Sequence, residues 1–236
     1  MDIPAGFAGV FPFNLRVGNR RLRTTNAQLL CFLRGVPVLY TREGQTPVLN
    51  FDGPAPAVLL LQEEEAENAW LAGDQLAVTD GCVWQGKNGL TVSSTSPETV
   101  LRLLPEGKEI KLSRKKVEIP VSFRETERTK DYAAFLVQIG EVPADRVEDV
   151  LLNIAFTGDH ADVFADGQLI ADWYTTGQPW KMALKRHGYP RELEIRVYPV
   201  TKPVYFEIPE PQGMSLDQVS AEPVYRFAVE KKGEWS

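Results

Sequence analysis

Short apolar runs broken by glycine, proline and asparagine recur along most of this chain at strand-like spacing, and one stretch alone carries a helical pattern. That rhythm constrains the fold more than any other feature, because runs of this length bury one face of a pleated strand against a second layer. Residues 29–33, 36–40, 48–51 and 57–61 read as strands, with breaks at Arg34-Gly35 and Glu43-Gly44. The helical pattern covers residues 62–71. There Glu63, Glu64 and Glu65 occupy the first turn, Gly73 follows the end, and Ala66, Ala69 and Trp70 form the apolar face. Residues 75–78, 83–85 and 90–93 then alternate as strands, and Asn88-Gly89 suits the positive φ angles of a tight hairpin.

Pro105, Glu106 and Gly107 interrupt this pattern, and residues 108–116 are polar and basic. The boundary between two parts is therefore expected here: a β-rich domain over 1–107, a basic linker or edge strand over 108–118, and a second domain over 119–236. In the second part, residues 119–123, 133–139, 150–156, 162–165, 168–173, 193–198, 204–208 and 225–229 read as strands. Eight strands in roughly 110 residues is the count of a jelly-roll sandwich. Asp166-Gly167, flanked by Val163, Phe164, Leu169 and Ile170, is the clearest hairpin turn, since both residues tolerate the left-handed region. Period-two alternation beyond it sets Leu169, Ala171 and Trp173 on one face and Ile170, Asp172 and Tyr174 on the other. The expected class is all-β, mainly antiparallel, with one or two short helices.

Charge and composition narrow the function. The chain carries 26 basic and 32 acidic residues, a formal net charge of -6, which repels a phosphate backbone. The basic stretch at 108–116 holds Glu109, is followed by Glu118, and has no interleaved aromatics, so it reads as a solvated strand or linker. Neither a nucleic-acid partner nor a membrane partner is expected. No 18 apolar residues run together, and Pro4, Gly6 and Gly9 near the start read as a loop, with no basic region or long apolar core of a secretory signal. The expected localisation is cytoplasmic, and Met1 reads as a boundary within a longer sequence. Cys31 and Cys82 are too few for a disulfide framework; they read as buried free thiols, with a single bridge between them as the alternative.

Little in the chain resembles catalytic machinery. There is no G-x-S-x-G elbow, no G-x-G-x-x-G or P-loop string, and His160 and His187 are the only histidines. The 32 acidic residues include no pair singled out for glycoside hydrolysis, which needs two carboxylates roughly 5 to 10 Å apart. Asp159, His160 and Asp162 crowd together. They read as a polar turn between strands, with a calcium site on Asp159 and Asp162 as the alternative, and no cofactor is otherwise expected. Trp173, Tyr174 and Trp180 with Asp172 and Gln178 form a candidate carbohydrate-binding set, since sugar faces stack on aromatic rings while polar side chains bond the hydroxyls. The competing reading makes both tryptophans anchors of the sandwich or of an interface, and Trp70, Trp84 and Trp235 are read the same way.

Two stretches carry a resemblance. Residues 11–33, FPFNLRVGNRRLRTTNAQLLCFL, resemble the segment that follows the catalytic barrel in bacterial family 35 β-galactosidases. Residues 158–180, GDHADVFADGQLIADWYTTGQPW, with 193–205, LEIRVYPVTKPVY, are similar to the closing β-sandwich of those enzymes. The resemblance implies a galactose-binding-like sandwich beside a (β/α)8 barrel whose two glutamates remove terminal β-galactose. Those glutamates lie in a region this sequence lacks, so the resemblance implies no catalytic residue here. The expected function is a non-catalytic accessory region whose partner is the upstream barrel, with galactosides as ligands at its rim. Two alternatives stay open: an independent carbohydrate-binding module, and a structural or interaction sandwich without sugar affinity.

Overall fold

The computed structural model describes residues 11–201 and 211–230. The protein is all-β: mainly antiparallel sheets, one short helix and one 3-10 turn account for its described elements. The chain divides into two compact units. Unit 1 comprises Met1–Ser94, Glu98–Ser113 and Phe227–Ser236, and unit 2 comprises Thr95–Pro97 and Arg114–Arg226. The chain changes from unit 1 to unit 2 after Ser113, and Phe227 belongs again to unit 1.

In unit 1, β1 (Leu15–Val17) and β2 (Arg20–Thr25) form a hairpin extended by β5 (Leu49–Phe51). β3 (Gln28–Leu33) pairs antiparallel with β4 (Val36–Thr41), and β4 pairs parallel with β6 (Leu59–Gln62). The parallel pair is reached because β5 lies in the first sheet, so the chain leaves the second sheet and comes back to it. A third sheet orders as β12 (Lys108–Ser113), β11 (Glu98–Leu104), β8 (Gln75–Val78), β7 (Ala69–Ala72). β12 is thus an edge strand, and its charged residues suit that position.

The middle sheet explains why residues 36–40 of its central strand β4 carry no charged side chain, while Phe32 of β3 and Leu60 of β6 stay 44% and 41% exposed on its outer strands. Leu39 packs with Val17, Leu22 and Ala27 against the first sheet. Its neighbours Val38 and Leu33 pack with Leu61, Ala66, Leu76 and Leu104 towards the third. A strand covered on both faces has no solvent side to mark with polar residues. Cys31 packs against this second cluster and burial raises its thiol pKa. Cys82 is exposed, which corrects the expectation of two buried thiols; both are free.

The helix is shorter than its pattern suggested. α1 spans Glu63–Glu67, and residues 69–72 are β7, hydrogen-bonded to β8 from Ala69↔Val78 to Ala72↔Gln75. Gly73, read as a helix terminator, instead takes φ 66° in the β7–β8 turn. One turn of helix survives because Glu65 accepts the Gln62 N–H at 3.0 Å and is held by Arg102 of β11. Ala66 is buried as expected, but Trp70 is 37% exposed on the strand. β9 (Cys82–Gly86) and β10 (Gly89–Ser94) form the expected hairpin with the turn displaced by one residue, since Gly86 pairs with Gly89 and leaves Lys87-Asn88 as the loop.

Unit 2 is a sandwich. Its larger sheet orders as β13 (Val121–Arg128), β14 (Ala133–Ile139), β19 (Glu192–Tyr198), β16 (His160–Ala165), β17 (Gln168–Tyr174). In the opposing layer, β15 (Asp149–Thr157) lies between β18 (Trp180–Ala183) and β20 (Ser215–Glu230). Alternate residues fill the core: Phe135 and Val137, Ala161 and Val163, Ile195 and Val197 from one layer, Val150, Leu152 and Ile154 from the other. The β16–β17 turn has Asp166 at φ 50° and Gly167 at φ 74°, the geometry its sequence required. β20 starts ten residues before the expected strand and continues into unit 1 at Phe227. The stretch at 204–208, the first residues with Pro4, Gly6 and Gly9, and Trp235 lie outside the described residues.

A pH response follows from the 3-10 turn Lys185–His187. His187 Nε2 is buried without a hydrogen-bond partner among the described residues, and burial, then Arg186, holds the imidazole below its ordinary value of 6.5. Between the folded and unfolded values the unfolded chain binds more protons, so stability falls as pH drops through 6.5 towards the folded value. The expected slope is at most about 1.4 kcal/mol per pH unit. His187→Gln should flatten the stability profile there in urea titrations; an unchanged profile would remove this role.

Candidate functional site

The candidate carbohydrate-binding set divides between two faces of β17. Trp173 stands opposite Ala161 on the core side of the sheet, while Asp172 and Tyr174 stand opposite Asp162 and His160 on the outer side. Trp180, from β18 in the other layer, is 5% exposed and stacks on Trp173 with ring centroids 6.0 Å apart and planes 12° apart. The two tryptophans therefore clasp the layers together where the chain crosses from one to the other. They do not share an open platform with Tyr174, because successive strand residues point to opposite faces.

On the outer face, four rings from four neighbouring segments line up in one row. Tyr132 precedes β14, and its ring lies 6.2 Å from Tyr198; Tyr198 lies 4.4 Å from His160, stacked with planes 7° apart, and His160 lies 5.3 Å from Tyr174. The register accounts for this, since His160 is the cross-strand partner of both Tyr198 and Tyr174. Within the row His160 and Tyr198 turn their faces to each other while the two outer pairs are tilted by 51° and 34°, and Tyr174, at the edge strand, is 63% exposed. Beside the row, Arg196 sits 4.5 Å from the Phe164 centroid and 5.4 Å from that of Tyr132, and bonds Glu194 at 2.5 Å.

The carboxylates of the supposed metal site are engaged in this framework. Asp159 lies 3.2 Å from His160 Nδ1. Beside Asp162, burial first and then this carboxylate raise the Tyr198 pKa. Among the described residues no group of three His, Cys, Asp or Glu is disposed to hold a metal ion.

Gln178 belongs to a different feature. Between the end of β15 and the turn joining β17 to β18 lies a hollow of about 270 Å³, walled by Phe156, Thr157, Thr176, Gln178, Pro179 and Pro211. Its turn is fastened at one end by Thr175, whose N–H donates to Asp159 O at 2.9 Å and whose hydroxyl donates to Gly158 O. The Trp173–Trp180 stack secures the other end. Behind Thr157, outside the lining of the hollow, a bulge in β20 leaves Asp217 without a cross-strand partner between Gln218 and Leu216. Its carboxylate accepts the Thr157 hydroxyl at 2.8 Å and that of Ser215 at 2.6 Å. Phe156, Thr157 and Asp217 carry no local motif, so only the pairing of β15 with β20 brings them to this place.

Gly158 allows the close approach on which the fastened turn depends. A Cβ there would meet Tyr198 O and Val197 Cγ1, each at 2.6 Å. Gly158→Ala should cost about 1–3 kcal/mol in denaturant unfolding, as overpacking does elsewhere. A midpoint equal to wild type would show that the backbone does not pass so closely.

Unit 1 carries a larger hollow, about 670 Å³, lined by Phe11, Pro12, Phe13, Val48, Asn26 and Asn50 among others. Asn26 closes its loop by donating to Thr46 O and accepting the Val48 N–H. Phe13 is 76% exposed and Val48 49%. The fold and these sites define a mainly antiparallel all-β protein with a sandwich unit. Comparison with family models, curated proteins and solved structures finds no match to the chain. Among the described residues no helix is long and apolar enough to cross a membrane.

Proposed function

We propose that the chain is a non-catalytic accessory region of a β-galactosidase-like glycoside hydrolase, packed against the catalytic barrel. The observation that carries this reading is Phe13, a ring 76% exposed beside an apolar hollow on unit 1. A phenylalanine left in solvent next to a concave apolar surface is what a covering neighbour leaves when it is missing. Phe11–Phe13 also open the stretch that resembles the segment following the barrel in family 35 enzymes, so the neighbour stands on the correct side in sequence. The block at 158–180 supports the same reading, because its hairpin, turn and tryptophan clasp act as scaffold.

The open reading frame around the chain supplies the test: it should encode a (β/α)8 barrel with two glutamates upstream. In that longer protein, Phe13→Ser should reduce stability or activity while leaving unfolding of the isolated chain nearly unchanged. A frame without a barrel overturns the reading. So does turnover of a chromogenic β-galactoside by the isolated chain, abolished by substituting one acidic residue.

A further inference from the structure

We propose that the hollow at the β17–β18 turn of unit 2 binds a single neutral pyranose ring. The walls bear no charged side chain: Ala155, Phe156, Pro179 and Pro211 offer apolar surface, and Thr157, Thr176 and Gln178 offer hydroxyls and an amide. An anionic ligand would lose water here without meeting a counter-charge and would face the Asp217 carboxylate behind Thr157, and a wholly apolar one would leave the polar groups without partners. A pyranose matches both, with an apolar face for Phe156 and hydroxyls around its rim. At about 270 Å³ the volume suits one ring and not a chain of them.

Pre-organisation argues in the same direction. Thr157 donates its hydroxyl to Asp217, so its oxygen lone pairs remain directed by that bond and can accept from a ligand. The opposite wall is fastened through Thr175 and the tryptophan clasp, so little ordering remains to be done on binding. The Thr176 hydroxyl and the Gln178 amide are the groups left to contact the ligand. This site differs from the set read in the sequence: it retains Gln178, and it replaces the ring faces of Trp173 and Tyr174 with Phe156.

The test is a titration of the isotope-labelled chain with methyl β-galactopyranoside, methyl β-glucopyranoside and glycerol, followed by amide nuclear magnetic resonance. Saturable shifts are expected at Thr157 and at residues 175–178 with at least one glycoside, with Kd on the order of millimolar. Thr176→Val and Gln178→Ala should each weaken binding about tenfold, while Tyr174→Ala leaves it unchanged. Both weakening substitutions lie on the exposed turn, and a thermal melt of each variant checks that the fold is kept. The proposal is overturned by no saturable shift with either glycoside up to about 100 mM, by equal response to glycerol, or by affinity unaltered in both variants. Shifts that centre on the ring row and vanish in Tyr174→Ala also overturn it. The accessory reading is unaffected by failure here, because it rests on Phe13 of unit 1; the pyranose site stands whether or not a barrel lies upstream.

Discussion

Trp180→Ala should lower the stability of unit 2 by about 3–5 kcal/mol, the cost of removing a large buried ring from a packed interior. Trp180 is 5% exposed, pairs through its strand with Ile154, and stacks on Trp173 across the two layers. Losing it opens a cavity at the edge of the sandwich and removes the partner of a second ring. Trp173→Ala should cost less, about 1–3 kcal/mol, since that ring is 39% exposed and part of its surface already meets water. Urea unfolding followed by circular dichroism measures both. If the two variants unfold at the same midpoint as wild type, the tryptophans do not hold the layers together. If the Trp173 variant loses more, the roles of the two rings are reversed.

The second large effect belongs to Tyr225, which is 1% exposed and accepts the Val117 N–H on its hydroxyl at 2.8 Å. Tyr225→Phe keeps the ring and deletes one oxygen, yet it strands a buried backbone N–H, so a loss of about 1–3 kcal/mol is expected. Tyr225→Ala adds the loss of the ring and should reach about 3–5 kcal/mol or more. Chemical denaturation of the three proteins separates the two contributions. A phenylalanine variant as stable as wild type would mean that water replaces the hydroxyl at Val117. The bond fixes how the chain enters unit 2, because Val117 and Tyr225 lie at opposite ends of that unit's sequence.

The alternation at 168–174 correctly separated Trp173 from Tyr174, but it could not say which face was the core. It also grouped Leu169 with Ala171 and Trp173, whereas a bulge at Ile170 sets Leu169 opposite Phe164 on the other face. The row Tyr132, Tyr198, His160, Tyr174 was invisible because its members come from segments joined only by strand register. Glu194, Arg196 and Tyr198 do alternate along one strand, a local signal that this face is polar and aromatic, yet nothing local sets Arg196 beside Phe164. Phe156 and Asp217 were missed for the same reason.

By itself the sequence determined the all-β class, most strand positions and the Asp166-Gly167 turn, since backbone preferences and period-two patterning act over a few neighbouring residues. It misjudged residues 69–71, where a helical pattern met a competing hairpin with β8: isolated helical turns gain little, and the ladder and burial of Ala72 prevailed. Tertiary structure alone decided that β4 of unit 1 is covered on both faces, that Trp180 is core, and that a hollow forms beside Gln178. Those outcomes depend on which distant strands pair and in what register. Such pairing is settled by the burial free energy of whole layers, a quantity that no short window of residues contains.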